Sequence, residues 1–130
     1  MKVLVTGAGG FIGSHLVLEL VNQGFDVIPM IKYSSKVNYR NLEESIKSGQ
    51  LDKRKIIIGD ISDRSFIKEA LKNVEAIFNL AALIGIPYSY KSPGSYVTTN
   101  ILGTMNILEE TKNVVQMRIT PCQREIPQQF

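Results

Sequence analysis

Hydrophobic and polar positions along this chain change period several times, and each change marks an element. Residues 2–6 form a short apolar run that stops at a glycine cluster, which reads as a buried strand. Residues 12–23 switch to helical spacing, with Ile12, Leu16 and Leu20 on one face and Val17 and Val21 widening it. Gly24 suits the stop of that helix, where a left-handed residue is favoured. Residues 26–31 read as a second strand, and residues 32–54 are polar and mixed, with a short helix near 41–47. Residues 55–58 give a third strand, closed by Gly59 and Asp60. Asp63 caps a helix running to about Lys72, with Phe66, Ile67, Ala70 and Leu71 inward. Residues 75–80 give a fourth strand, and Ser92-Pro93 opens a helix reaching about Lys112, with Val97, Ile101 and Leu108 on one face.

Strands that are apolar on both faces, alternating with helices, imply a parallel sheet covered on both sides. Right-handed crossovers then give an α/β doubly wound sheet of the Rossmann type. The pattern ends near residue 115. The tail, 116–130, holds four of the six glutamines, two of the five prolines and the only cysteine, Cys122. A fifth strand starts at Met117–Thr120 but meets Pro121 at once, so the sheet is expected to be incomplete at its C-terminal side. Two segments follow: an α/β domain over 1–115 and an off-pattern tail over 116–130.

At 130 residues the chain has room for one domain, and no apolar run is long enough to span a bilayer. The N-terminus meets Gly7 too early for a signal-peptide core, and a single cysteine builds no disulfide framework, so a cytoplasmic protein is expected. The net charge of +3 is too small to argue for nucleic acid. It is unevenly spread. Residues 32–55 carry seven cations against three acids, either a solvated surface or a lure for nucleotide phosphates.

The chemistry starts at Thr6-Gly7-Ala8-Gly9-Gly10-Phe11-Ile12-Gly13, between the first strand and the first helix. Gly7 permits the tight turn, Gly10 lets a pyrophosphate approach the backbone, and Gly13 allows close packing of the helix. The helix N-terminus then favours an anion. The spacing is Gly-x-x-Gly-x-x-Gly, and the Gly-Lys-Ser/Thr ending of a P-loop is absent.

This loop resembles that of the extended short-chain dehydrogenase/reductases, the sugar-nucleotide epimerases and dehydratases. Gly59-Asp60-Ile61-Ser62-Asp63, Asn79-Leu80-Ala81-Ala82 and Asn100-Ile-Leu-Gly103-Thr104-Met-Asn106 are similar to three further family motifs in register. The stretch 80–97 most resembles nucleotide-sugar 4,6-dehydratases of the legionaminic-acid type. Epimerases acting on UDP-glucose tend to carry a lysine just after the Ala-Ala step, where Ile84 stands here.

The resemblance implies NAD(P) as cofactor, held by Gly7, Gly10, Phe11, Ile12, Gly13, Lys32, Asp60, Ile61, Leu80, Ala81, Ala82 and Asn100, with no metal. Asp60 would accept from the adenine amino group; its plainer reading is a turn aspartate. Asn79 is either a cofactor neighbour or a capped strand end. Tyr88 and Ser89, with Tyr90, would meet the sugar nucleotide or pack a loop. His15 reads as structural. NAD sites place an acid after the second strand for the ribose 2′-OH. Here Ile31-Lys32-Tyr33 offers none, and Asp26 is at the wrong end. Lys32 or Lys36 suits a 2′-phosphate, so NADP is expected to bind at least as well as NAD.

In the family the tyrosine of a Tyr-x-x-x-Lys pair takes the proton of the sugar 4-OH while the hydride passes from C4 to the nicotinamide, and the lysine lowers the tyrosine pKa. The residues four after Tyr33, Tyr39, Tyr88, Tyr90 and Tyr96 are Val37, Glu43, Ser92, Gly94 and Asn100. The expectation is therefore the cofactor-binding half of a 4,6-dehydratase, a lyase, inactive as this chain and arising from truncation, a frameshift or deliberate shortening. The alternatives are a UDP-sugar 4-epimerase fragment and a non-catalytic NAD(P)-binding module. A nucleotide-sugar substrate and a homodimer through helix 93–112 complete the expected partners.

Overall fold

A computed structural model describes residues 1–33 and 39–112. The tail and its cysteine, the expected fifth strand, the boundary at 115 and Lys36 all lie outside these residues. Four strands, β1 (Lys2–Thr6), β2 (Asp26–Lys32), β3 (Ile57–Gly59) and β4 (Ala76–Asn79), form one parallel sheet in the order β3-β2-β1-β4. Lys2 pairs with Asp26, Val3 with Ala76, and Met30 with Ile57.

The described residues also form six α-helices: α1 (Phe11–Asn22), α2 (Glu43–Lys47), α3 (Arg64–Ala70), α4 (Ile86–Lys91), α5 (Pro93–Tyr96) and α6 (Thr104–Thr111). The alternation of β1 shows how the sheet divides its core. Val3 and Val5 pack with Val17 and Leu20 of α1, and with Leu42 and Leu51. Leu4 faces the other way, toward Ile67 of α3, Leu71 at the end of that helix and Ile107 of α6. The doubly wound expectation holds over the described residues.

Local chemistry explains the boundaries. Gly24 follows α1 at φ +83°, and Asp63 caps α3 by accepting from Phe66 N at 3.0 Å. The third strand starts at Ile57, later than its apolar pattern suggests. Lys53–Lys55 instead form a 3₁₀ turn capped by Asp52, whose carboxylate accepts from Arg54 N at 2.9 Å.

The long helix 93–111 has one wide turn, the π-helical stretch Val97–Gly103, between α5 and α6. Its buried face is Thr99, Gly103, Ile107 and Thr111, each four residues from the last. Gly103 sets this choice: a Cβ there would lie 2.5 Å from Ile61 Cγ1, so only glycine lets the helix come this close. The apolar row Val97, Ile101 and Leu108 consequently faces away from the core, 40–54% exposed. No helix among the described residues is long and apolar enough to cross a membrane.

Candidate functional site

The strand order reverses at β1: one crossover leads outward to β2, and the chain later returns to β4 on the other side. A crevice at the carboxyl ends of β1 and β4 is where such sheets bind ligands. Gly7 and Leu80 meet there. Gly7 sits at φ +67°, and a Cβ on it would lie 2.8 Å from the Leu80 carbonyl carbon and oxygen. Gly13 is tighter still: its Cβ would come within 2.3 Å of Gly7 O. This glycine makes room for the loop that precedes its helix, more than for the sheet.

Gly10 is the N-cap of α1, so the helix begins with no side-chain cap, and its first turn carries no acid. The N–H groups of Phe11, Ile12 and Gly13 belong to that first turn and have no intrahelical acceptor. Phe11 and Ile12 are exposed around them. The Ala8 N–H is already used, donating to Met30 O at 3.1 Å. The arrangement suits an anion at residues 10–13.

Thr6 carries a role that its motif alone does not reveal. Its fully buried hydroxyl donates to Asn79 Oδ1 at 2.6 Å and accepts from Leu80 N at 3.1 Å and Ala81 N at 3.2 Å. One side chain thereby fixes the path of the chain leaving β4. The only sequence signal is a hydroxyl at the end of an apolar strand. Asn100 clamps the next turn: its Oδ1 accepts from Leu83 N at 2.8 Å and its Nδ2 donates to Leu83 O at 2.9 Å. The expected cofactor residues Leu80, Ala81 and Ala82 are thus held from both sides, and Asn100 acts on them through backbone.

Asp60 and Lys32 lie where β3 and β2 end. Asp60 Oδ1 accepts from Ser62 N at 2.9 Å and Ser62 Oγ at 2.8 Å, while Oδ2 is 3.1 Å from Lys32 Nζ. Partial burial works to raise the Asp60 pKa, but the Ser62 N–H and hydroxyl, then Lys32, outweigh it and hold the carboxyl below its ordinary value. Ile61 is buried against Gly103, and its carbonyl accepts from Asn106 Nδ2 at 3.0 Å. Ile61 therefore packs the long helix and leaves Asp60 at the rim.

Tyr88 and Ser89 are not in a loop. They lie on α4, a helix hidden in the sequence by Pro87, which occupies its first turn. Tyr88 is half exposed and its ring is 6.1 Å from that of Tyr96. Ser89 Oγ donates to Ile86 O at 2.6 Å, so its hydroxyl is engaged within its own helix. Tyr96 donates to Gly85 O, tying α4 to α5. His15 Nδ1 lies 2.7 Å from Phe11 O, a local helical contact. No group of three or more His, Cys, Asp or Glu among the described residues is placed to hold a metal.

Strand order, reversal point and glycine loop define an open parallel domain of the dinucleotide-binding kind. The chain belongs to the family described as GDP-mannose 4,6 dehydratase, whose model matches residues 4–123, and with it to the NAD-dependent epimerases and dehydratases. It is 39% identical to Protein CapI of Staphylococcus aureus over 114 residues, covering 84% of this chain and 33% of that protein. It is 32% identical to dTDP-glucose 4,6-dehydratase of Streptomyces antibioticus, over 84% of this chain and 33% of the enzyme. Among solved structures it is similar to UDP-glucuronic acid 4-epimerase of Bacillus cereus in complex with UDP-glucuronic acid and NAD. That match has a TM-score of 0.70 at 31% identity and covers 90% of this chain and 38% of that one. The chain therefore spans about a third of the length of the curated relatives it matches.

Proposed function

We propose that this chain is the NAD(P)-binding portion of an enzyme that oxidises a nucleotide-activated hexose at C4 and then expels water, a 4,6-dehydratase. One observation carries the cofactor reading: an uncapped helix N-terminus at Gly10 opens beside the carboxyl ends of β1 and β4, where Gly7 and Gly13 leave no room for side chains. The residues present fit a dinucleotide. The N–H groups of Phe11, Ile12 and Gly13 would hold the pyrophosphate, Asp60 the adenine, and Leu80–Ala82 the nicotinamide side. The bound cofactor supplies a hydride acceptor; the chain's own residues bind and orient it.

Ile84 favours the dehydratase, since it stands where UDP-glucose epimerases tend to have lysine. The second reading, a 4-epimerase, is supported by the Bacillus cereus relative. Both reactions begin with oxidation at C4. The exposed row Val97, Ile101 and Leu108, joined by Leu102 and Met105, supports a homodimer through helix 93–111.

The test is to offer the chain NAD(P)+ together with UDP-, dTDP- and GDP-hexoses. The expected result is saturable nucleotide binding without sugar conversion, because no tyrosine is followed four residues later by lysine. A product lighter by one water makes the chain itself a working dehydratase. An isomer inverted at C4 makes it an epimerase. No nucleotide binding overturns the reading.

A further inference from the structure

We infer that Asn41 is a positioning residue for the anion site of the glycine loop: by holding the Gly9 carbonyl, it sets the peptide plane that leads into α1. This rests on the cofactor reading above and adds to it a residue from outside the loop. Asn41 is 32 residues from Gly9, on a 3₁₀ turn at Arg40–Leu42, and its Nδ2 donates to Gly9 O at 3.2 Å. Gly9 is buried, so its carbonyl needs a partner. Across the same planar peptide, Gly10 N donates to Gly7 O at 3.0 Å. The plane between Gly9 and Gly10 is thus held at both ends. Gly10, the N-cap of α1, has no side chain with which to hold it. The N–H groups of Phe11, Ile12 and Gly13 take their direction from this plane. A Gly9 oxygen released from its donor beside that site would repel an anion.

The turn that presents Asn41 is itself fixed from below. Leu42 is fully buried in the cluster that also holds Val17 and Ile31. Its N–H donates to Tyr39 O at 3.0 Å, and Tyr39 packs against the same cluster, with Lys53 Nζ 5.2 Å from its ring centroid. Between them Arg40 is held at φ +51°, a left-handed conformation that a residue with a Cβ keeps only where its surroundings over-determine it. The Arg40 stem lies on the loop: its Cδ is 3.4 Å and its Cβ 3.7 Å from where a Gly9 Cβ would be. The strained residue immediately precedes the one that reaches Gly9, so the strain serves the placing of Asn41. Asn41 is exposed, and core packing gives no reason for an amide at this position.

The experiment measures dissociation constants of NAD+ and NADP+ for the full chain and for Asn41→Leu and Asn41→Asp, two variants of similar shape that lack the N–H donor. Gly24→Ala, at the far end of α1 with open space around it, is the control for lost stability alone. The expected result is binding weaker by about three- to tenfold in both Asn41 variants, the scale of one net hydrogen bond. The NMR shift of the Gly9 carbonyl carbon should move with it, and Gly24→Ala should bind like the parent chain. Acidification toward about pH 4 protonates the introduced carboxyl and restores an O–H donor. Measured against the parent chain at the same pH, binding should then recover in Asn41→Asp and not in Asn41→Leu. Parent-like affinity in Asn41→Leu, or a loss of affinity no greater than in Gly24→Ala, overturns the inference and leaves the cofactor reading standing. A parent chain that binds neither nucleotide overturns both.

Discussion

Thr6 and Asn79 are 73 residues apart and share a 2.6 Å hydrogen bond at the carboxyl ends of two adjacent strands. The same Thr6 hydroxyl accepts the N–H groups of Leu80 and Ala81. It therefore couples the start of the glycine loop to the segment facing it across the crevice. Replacing Thr6 by Val keeps the shape and leaves two backbone donors without acceptors. The expected cost is about 3 kcal/mol, measured by urea denaturation, since each buried unsatisfied group costs ~1–3 kcal/mol. A loss under about 0.5 kcal/mol would mean that water or a shifted backbone replaces the hydroxyl.

The glycines should separate into three groups under substitution by alanine. Gly7 and Gly13 each meet backbone within 3 Å of a built Cβ, so their variants should lose stability and nucleotide binding together. Gly24 has a positive φ but open space, so its variant should lose only ~1 kcal/mol and keep binding. Gly94 has neither constraint and lies in a helix, so alanine there should be neutral or stabilising by up to ~1 kcal/mol. Thermal unfolding of the four variants checks the order.

Ile101 and Ile107 lie on the same helix and should behave oppositely. Ile107 is 1% exposed in the core beside Leu4 and Ile67, so Ile107→Ala should cost ~2–5 kcal/mol. Ile101 is 54% exposed. Ile101→Lys should leave the fold intact and weaken self-association, read by sedimentation over a range of concentrations. A sharp monomer peak from the parent chain at high concentration would count against the dimer.

Asp60 should also leave a mark on the pH dependence of stability. Its pKa is lowered in the fold, so its ionised form is the favoured one. The contribution is complete above the ordinary value of 3.8 and fades as pH falls through the lower folded value. Stability curves of the parent chain and Asp60→Asn should therefore differ most at neutral pH and converge below about pH 4.

Most of the fold was legible because glycine and proline punctuate strong apolar runs. Gly7 and Gly24 bracket the loop and helix α1, and Asp63 announces α3 by its capping chemistry. What stayed hidden has physical reasons. Pro87 and the tyrosines around it look like a loop, yet proline in a first helical turn is compatible with α4. The apolar row at Val97, Ile101 and Leu108 looks like a core face, yet the smaller row through Thr99 and Gly103 is the buried one, since it packs closer. Of the site, the glycine loop and Asp60 were readable as motifs. The links among Thr6, Asn79, Asn100 and Leu83 join distant positions and follow from the folded backbone alone.

The central claim is that a dinucleotide lies across the glycine loop and the end of β4. Backbone amide NMR of the full chain, titrated with NADP+ and with NAD+, tests it most directly. Saturable shifts are expected at Gly9–Gly13, Asp60–Ile61 and Leu80–Leu83, with the α1 residues Val17–Asn22 unmoved. Shifts confined to another surface, or none at saturating nucleotide, would contradict it.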